Sequence, residues 1–177
     1  MRVAVTGASG HAGASLVRAL LARGDRVRVL LRNDDRAVRG LDVERVEGDL
    51  LAPRTLAPLV AGAELVFHLA ARVSIRGGRS EELEQVNVLG VRHVAEVALA
   101  AGVRRLVHFS SIHALESRPA DRPVDETRPF VASGAPAYDR SKAAGEREIR
   151  AAADRGLDAV ILQPTGILGP FDFKPSH

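Results

Sequence analysis

Thr6-Gly7-Ala8-Ser9-Gly10-His11-Ala12-Gly13 follows directly on the apolar run Arg2–Val5 and leads directly into a helical pattern beginning Ala14-Ser15-Leu16-Val17. Three glycines between a strand and a helix let the backbone turn sharply, approach a pyrophosphate with no Cβ in the way, and pack helix close to strand. The helix N-terminus then offers unpaired N–H groups to the anion. The turn therefore reads as a phosphate cradle made by Gly7, Ser9, Gly10, His11, Ala12 and Gly13, with His11 contributing its backbone. A glycine triplet alone also serves ordinary turns, and the spacing is G-x-x-G-x-x-G rather than G-x-G-x-x-G. Its position between strand and helix is what gives it weight.

Working outward, short runs rich in Val, Ile and Leu recur at Arg2–Thr6, Arg26–Leu31, Val43–Glu47, Leu65–Leu69, Arg105–Ser110 and Asp158–Gln163. Such runs, without long polar alternation, suit parallel strands covered on both faces. Helical patterns separate them, the longest at Glu81–Ala101 and Ala137–Arg155 and short ones at Asp34–Arg39 and Pro53–Val60. Gly24, Gly40, Gly62, Gly102 and Gly156 close the crossovers, each suited to a left-handed helix end. The pattern predicts an α/β fold, a parallel sheet of six strands with helices on both faces. A long irregular segment, Ile112 to Pro136, precedes the last long helix, and a loop of that length in a compact domain points to function.

Composition narrows the classes. At 177 residues and 46% hydrophobic, the chain suits one domain with a proper core. Cysteine is absent, which rules out a disulfide framework and a cysteine metal site. The net charge of +3 comes from arginines spread along the chain, and only 3% of residues are aromatic, so no nucleic-acid partner is expected. No apolar run reaches membrane-spanning length, so no membrane partner is expected, and a cytoplasmic location fits. His68, His93, His108 and His113 lack metal-ligand spacing and read as core or surface residues, with no metal site. His113, two positions past Ser111, lies near the expected substrate cavity.

A second constellation lies at Tyr138-Asp139-Arg140-Ser141-Lys142, where a tyrosine and a lysine four positions apart share one helical face. An ammonium near a phenol favours the phenolate and brings the tyrosine toward proton exchange with a substrate oxygen. Ser110-Ser111 ends the fifth strand at the carboxyl edge, where open parallel sheets bind their ligands. A Ser111 hydroxyl there could bond the same carbonyl.

At these residues the sequence resembles the extended short-chain dehydrogenase/reductase family, the NAD-dependent epimerase/dehydratase superfamily, and within it the dihydroflavonol-reductase-like branch. The resemblance covers the whole chain and rests on Thr6 to Gly13, Gly48-Asp49-Leu50, His68-Leu69-Ala70-Ala71, Asn87, Phe109-Ser110-Ser111, Tyr138 to Lys142 and Pro164-Thr165-Gly166-Ile167-Leu168-Gly169-Pro170. It implies a doubly wound parallel Rossmann sheet with its six strands in order 3-2-1-4-5-6, and that Ser111 polarises a substrate carbonyl, Tyr138 donates the proton, and Lys142 holds the ribose hydroxyls and depresses the tyrosine pKa. It further implies cofactor contacts at Asp49 and Leu50, at Leu69, Ala70 and Ala71, at Asn87, and at Pro164, Thr165, Gly166 and Ile167. Members of the family continue into a substrate lobe, so residues 1–170 are expected to be the nucleotide-binding domain and 171–177 the start of a second lobe.

The residue ending the second strand selects the cofactor, because a carboxylate there binds a free ribose 2′-hydroxyl and an arginine accommodates a 2′-phosphate. Arg32 stands there, which favours NADP, while Asp34 or Asp35 would favour NAD if the register shifts. The expected function is NAD(P)-dependent reduction of a ketone or aldehyde, or oxidation of the alcohol, with a small-molecule substrate. Two alternatives stand beside it: an NAD-using nucleotide-sugar epimerase or dehydratase, and a non-catalytic NADP-binding module. The resemblance also implies a homodimer through the helices at 81–101 and 137–155.

Overall fold

The computed structural model describes residues 1–74 and 79–173; residues 174–177 of the expected second-lobe start lie outside them. Strands β1 (Arg2–Thr6), β2 (Arg26–Leu31), β3 (Glu44–Glu47), β4 (Leu65–His68), β5 (Arg105–Phe109) and β6 (Ala159–Leu162) form one sheet in the order β3-β2-β1-β4-β5-β6. Every pairing is parallel, as the sequence predicts. Winding proceeds in one direction from β1 to β3 and in the other from β4 to β6. The reversal between β1 and β4 leaves a crevice at the carboxyl edge, the place where such sheets take ligands.

Alternation along the strands sends side chains to two separate cores. Val3, Val5, Val27 and Val29 meet Val17 and Leu20 of α1 (His11–Ala22) on one face. Ala4, Val66 and Leu106 meet Val91, Val94, Ala98 and Ile149 of α4 (Gly90–Ala100) and α5 (Ala137–Ala153) on the other. A short α2 (Ala57–Val60) adds Leu59 and Val60 to that second core, after a 3-10 turn at Pro53–Thr55. Helices therefore cover both faces, and the clusters are apolar because the inner strands are sandwiched, whereas the edge strands β3 and β6 stay largely open to solvent.

All five expected glycines adopt positive φ. Gly24 shows why: its N–H reaches the Leu21 carbonyl at 2.9 Å and the Asp25 N–H reaches Leu20 at 3.1 Å, closing α1 with the chain turned toward β2. No helix among the described residues is long and apolar enough to cross a membrane.

Three expectations need correction. The first helix begins at His11, so the last residues of the glycine turn already form its first turn. The Asp34–Arg39 helix is only a 3-10 turn, Arg36–Val38. The single helix expected over Glu81–Ala101 is α3 (Ser80–Glu84), a π turn (Gln85–Leu89) and α4 in succession. One additional residue in that π turn brings Asn87 inward, where its amide is fully bonded, and hydrophobic periodicity does not register a single inserted residue.

The irregular segment before α5 is anchored. Leu115 bridges Phe130, and the buried Arg128 donates to the Pro119 and Arg122 carbonyls at 2.8 and 2.9 Å. Phe130 in turn lies beneath the Arg147 and Arg150 guanidinium groups of α5.

Candidate active site

At the end of β1, Gly7 has φ +76°, and an added Cβ would meet the Ala70 nitrogen at 2.5 Å and the Leu69 carbonyl carbon at 2.6 Å. A Cβ on Gly13 would run into the Gly7 carbonyl oxygen. These two glycines are required by packing. Gly10 is different: it is exposed, its φ of −88° suits any residue, and an added Cβ would only touch the Gly7 oxygen at 3.4 Å. What glycine gives there is open backbone next to the start of α1, whose first turn carries no acidic residue and no side-chain cap. Ser9, His11 and Ala12 line the same turn, half-buried. A diphosphate fits such a cradle of bare backbone at a helix N-terminus.

Beside the turn, the Leu69 N–H donates to the Thr6 carbonyl at 3.2 Å and the Ala70 N–H to Thr6 Oγ1 at 3.4 Å, while Ala71 is exposed. Asp49 follows β3, accepting the Leu51 N–H on Oδ1 at 2.9 Å and standing 3.6 Å from Arg32 Nη1 through Oδ2. Leu50 is buried in the core. Arg32 projects into solvent at the end of β2. Asp34 is engaged by Arg36, and Asp35 by Arg39 and Arg45.

Pro164 accepts the Ile112 N–H at 3.1 Å, and Thr165, Gly166 and Ile167 run exposed along the carboxyl edge. Further on, the Pro170 carbonyl accepts Ser15 Oγ–H of α1 at 3.5 Å, and Phe171 lies under the Arg18 guanidinium. The segment thus spans from the Ser111 turn to α1.

Ser111, Tyr138 and Lys142 come together at this edge, all buried. Burial pushes the Tyr138 phenol up; the hydrogen bond from Ser111 pulls it down, and the Asp139 carboxylate pushes it up again. Lys142 Nζ donates to the Phe109 carbonyl at 2.9 Å, and the influences that set the phenol are burial, Ser111 and Asp139 rather than the lysine charge. Burial lowers its pKa to about 8 against the opposing pull of Glu146. Asn87 Nδ2 donates to the Arg72 carbonyl at 2.9 Å and to Ser141 Oγ at 3.0 Å, and its Oδ1 accepts the Arg72 N–H at 2.8 Å. A Cβ on Gly145 would run into the Asn87 carbonyl oxygen, so α5 approaches the π turn only because that residue is glycine.

Sequence reasoning passed over the polar layer beneath the triad. Thr6 Oγ1 and His68 Nδ1 share a 2.6 Å hydrogen bond, and His68 stacks on His108 with ring centroids 5.3 Å apart. Burial, with the nearby Lys142 charge, holds His68 down to about 3; burial, His68 and Lys142 hold His108 well below its ordinary value. Glu146 is fully buried and accepts Gln163 Nε2 on both oxygens, at 2.9 and 3.1 Å. The available signal was polar residues inside apolar strands at matching register, Thr6 opposite His68 and His68 opposite His108. His113 lies against Tyr138 and bonds Asp139. Among the described residues no group of three His, Asp or Glu is placed to hold a metal.

Comparison with known proteins identifies the family. The profile of the NAD dependent epimerase/dehydratase family matches residues 3–177. The chain is 45% identical to sterol demethylase protein B of Methylococcus capsulatus, over 99% of this chain and 54% of that protein. It is 37% identical to a putative dihydroflavonol 4-reductase of Synechocystis, over 97% of this chain and 51% of that protein. The crystal structure of the Thermus thermophilus UDP-glucose 4-epimerase complex with NAD superposes with a TM-score of 0.80 at 31% identity, covering 92% of this chain and 54% of that one. The chain spans about half the length of the curated relatives it matches.

Proposed function

The chain belongs to the NAD dependent epimerase/dehydratase family, and from that premise we propose that it is an NAD(P)-dependent oxidoreductase that reduces a ketone or aldehyde, or oxidises the corresponding alcohol. The observation that carries the reading is the buried Ser111 and Tyr138 hydroxyl pair, with Lys142 one helical turn on, at the carboxyl edge beside the glycine turn.

Tyr138 gives its proton to the carbonyl oxygen, and Ser111 steadies the negative charge developing on that oxygen through its own hydroxyl. A bound nicotinamide nucleotide supplies the hydride. Lys142, at about 8, is mostly cationic at neutral pH; anchored on Phe109, it presents its remaining N–H groups for ribose hydroxyls. Gly7, Ser9, Gly10, His11, Ala12 and Gly13 hold the diphosphate. Asp49 and Leu50 take the adenine side, Leu69, Ala70, Ala71 and Asn87 the floor, and Pro164, Thr165, Gly166 and Ile167 the nicotinamide side.

NADP is the favoured nucleotide. Arg32 is the exposed cation at the end of β2, and both nearby aspartates already hold arginines, so neither is ready for a ribose 2′-hydroxyl. Titration of the purified chain with NADPH and with NADH, followed by nicotinamide fluorescence, tests this, and tighter NADH would overturn it. The names of the two curated relatives, concerned with sterol and flavonol chemistry, make ring ketones and secondary alcohols the first substrate panel. NADPH oxidation with that panel, compared in the wild type and Tyr138→Phe, tests the chemistry; equal rates would remove it.

The similarity to the epimerase from Thermus thermophilus supports a second reading, an NAD-using nucleotide-sugar epimerase. Preference for NADH together with turnover of a UDP-sugar would establish it. Association as a homodimer is also proposed: α4 and α5 lie side by side, linked by an Arg92–Glu148 ion pair at 2.8 Å, and would pair with the same helices of a second copy. Light scattering across micromolar concentrations tests it, a monomer throughout being the contrary result.

A further inference from the structure

We propose that His113 is a positioning residue for Tyr138, tying the turn that carries Ser111 to the helix that carries the tyrosine. The inference rests on the reading of Tyr138 as the proton donor. His113 makes three contacts that together bridge these elements. Its backbone N–H donates to Ser111 Oγ at 3.2 Å, its Nδ1 lies 3.2 Å from Asp139 Oδ1, and its ring meets the Tyr138 ring edge-on, with centroids 5.7 Å apart at 67°.

Each contact has a distinct effect. The backbone bond occupies an acceptor site on Ser111 and leaves that hydroxyl its proton, to be directed at the tyrosine or a substrate oxygen. The link to Asp139 fixes the 3-10 turn Ile112–Ala114 against the first turn of α5, where a carboxylate is favoured by the helix dipole. The ring contact limits rotation of the phenol. Half-exposed as it is, the His113–Asp139 pair adds little to stability, so its value lies in geometry. Among the described residues the Asp139 carboxylate is the side-chain partner of the His113 ring nitrogen, and Lys142 is turned to the Phe109 carbonyl. Asp139 therefore plays two opposed parts: through His113 it secures the Ser111–Tyr138 hydrogen bond, and through its charge it disfavours the phenolate.

The chain contains one tyrosine and no tryptophan, so the ultraviolet absorbance of the phenolate reports Tyr138 alone. Its titration midpoint is measured in the wild type, His113→Ala, His113→Gln and Asp139→Asn, with circular dichroism recorded at each pH. His113→Ala keeps the backbone N–H on Ser111 but removes the side-chain contacts to Asp139 and the Tyr138 ring, which loosens the Ser111–Tyr138 hydrogen bond and moves the midpoint up. His113→Gln, which still donates to Asp139, stays near the wild type. Asp139→Asn keeps an acceptor for His113 but removes the charge, and moves the midpoint down. Opposite signs for the alanine and asparagine variants are the mark of this arrangement, because general loosening of the helix would move both the same way. An unchanged midpoint in His113→Ala, or a shift in the direction of Asp139→Asn, would overturn the proposal; should His113→Ala not fold, His113→Leu fills the space without the bond and carries the same expectation. Neither nucleotide nor substrate is needed, so failure of the chain to bind NADPH or NADH would sink the functional reading and leave this result standing on its own.

Discussion

Acidification should loosen this fold well above the pH at which its carboxylates titrate, and His68 sets the size of the effect. Its ring is fully buried, bonded to Thr6 and stacked on His108, and is held down to about 3 from the ordinary 6.5. A folded value below the unfolded one means that the unfolded chain takes up the proton first. The neutral ring's contribution is intact above 6.5 and is lost progressively as pH falls from there toward about 3. Between about pH 7 and about pH 5 that difference integrates to about 2 kcal/mol for His68 alone. His108, shifted in the same direction, adds to the loss. For a chain of this size about 2 kcal/mol corresponds to roughly 4–8 °C in Tm. The lowered carboxylates Asp25, Asp35, Asp125 and Asp158 start from an ordinary value of 3.8, so they act at lower pH. Urea unfolding at the two pH values, for the wild type and His68→Asn, measures the effect. The variant should lose about 2 kcal/mol of the pH dependence whatever its baseline stability. The same drop in both proteins would refute the assignment.

Replacement of Tyr138 by phenylalanine should reduce turnover by a factor on the order of 10²–10⁴ while leaving nucleotide affinity within about twofold, read from steady-state rates and fluorescence titration. Arg32→Glu should reverse the nucleotide preference toward NADH, seen as exchanged Kd values; retention of the NADPH preference would place the phosphate elsewhere. Gly13→Ala, with its methyl driven into the Gly7 carbonyl, should lower stability by about 1–3 kcal/mol in urea unfolding. Gly10→Ala, which has room in the chain, should leave stability within about 1 kcal/mol and weaken nucleotide binding; equal effects on binding and stability would remove the argument that Gly10 serves a ligand.

Much of the architecture was legible because parallel strands buried on both faces have to be apolar runs, and because each crossover ends in a glycine whose conformation other residues resist. Strand order came with the family resemblance rather than from the strand runs themselves. The site was legible where residue type and chemistry coincide, as at Ser111, Tyr138 and Lys142. It was illegible where a side chain's role depends on a partner distant in sequence. Nothing local marks Phe109 as the carbonyl that receives Lys142, or Gln163 as the group that meets Glu146. The His68–His108 stack depends on the register of β4 against β5, which strand periodicity alone does not specify.

The π turn at Gln85–Leu89 behaves as a one-residue insertion preserved in the backbone. Removing a residue there would return the segment to ordinary α geometry and rotate everything before it by about 100°. The apolar face of α4 would keep its place on the sheet, whereas Asn87 would swing away from Arg72 and Ser141 and leave their bonds unmade. A chain shortened by that residue would keep α4 on the sheet yet turn the buried Leu83 of α3 out of its place and lose the tie between the loop after β4 and the start of α5. Length at this point is thus under a separate constraint from hydrophobicity, registered by the floor of the site and by the seat of α3.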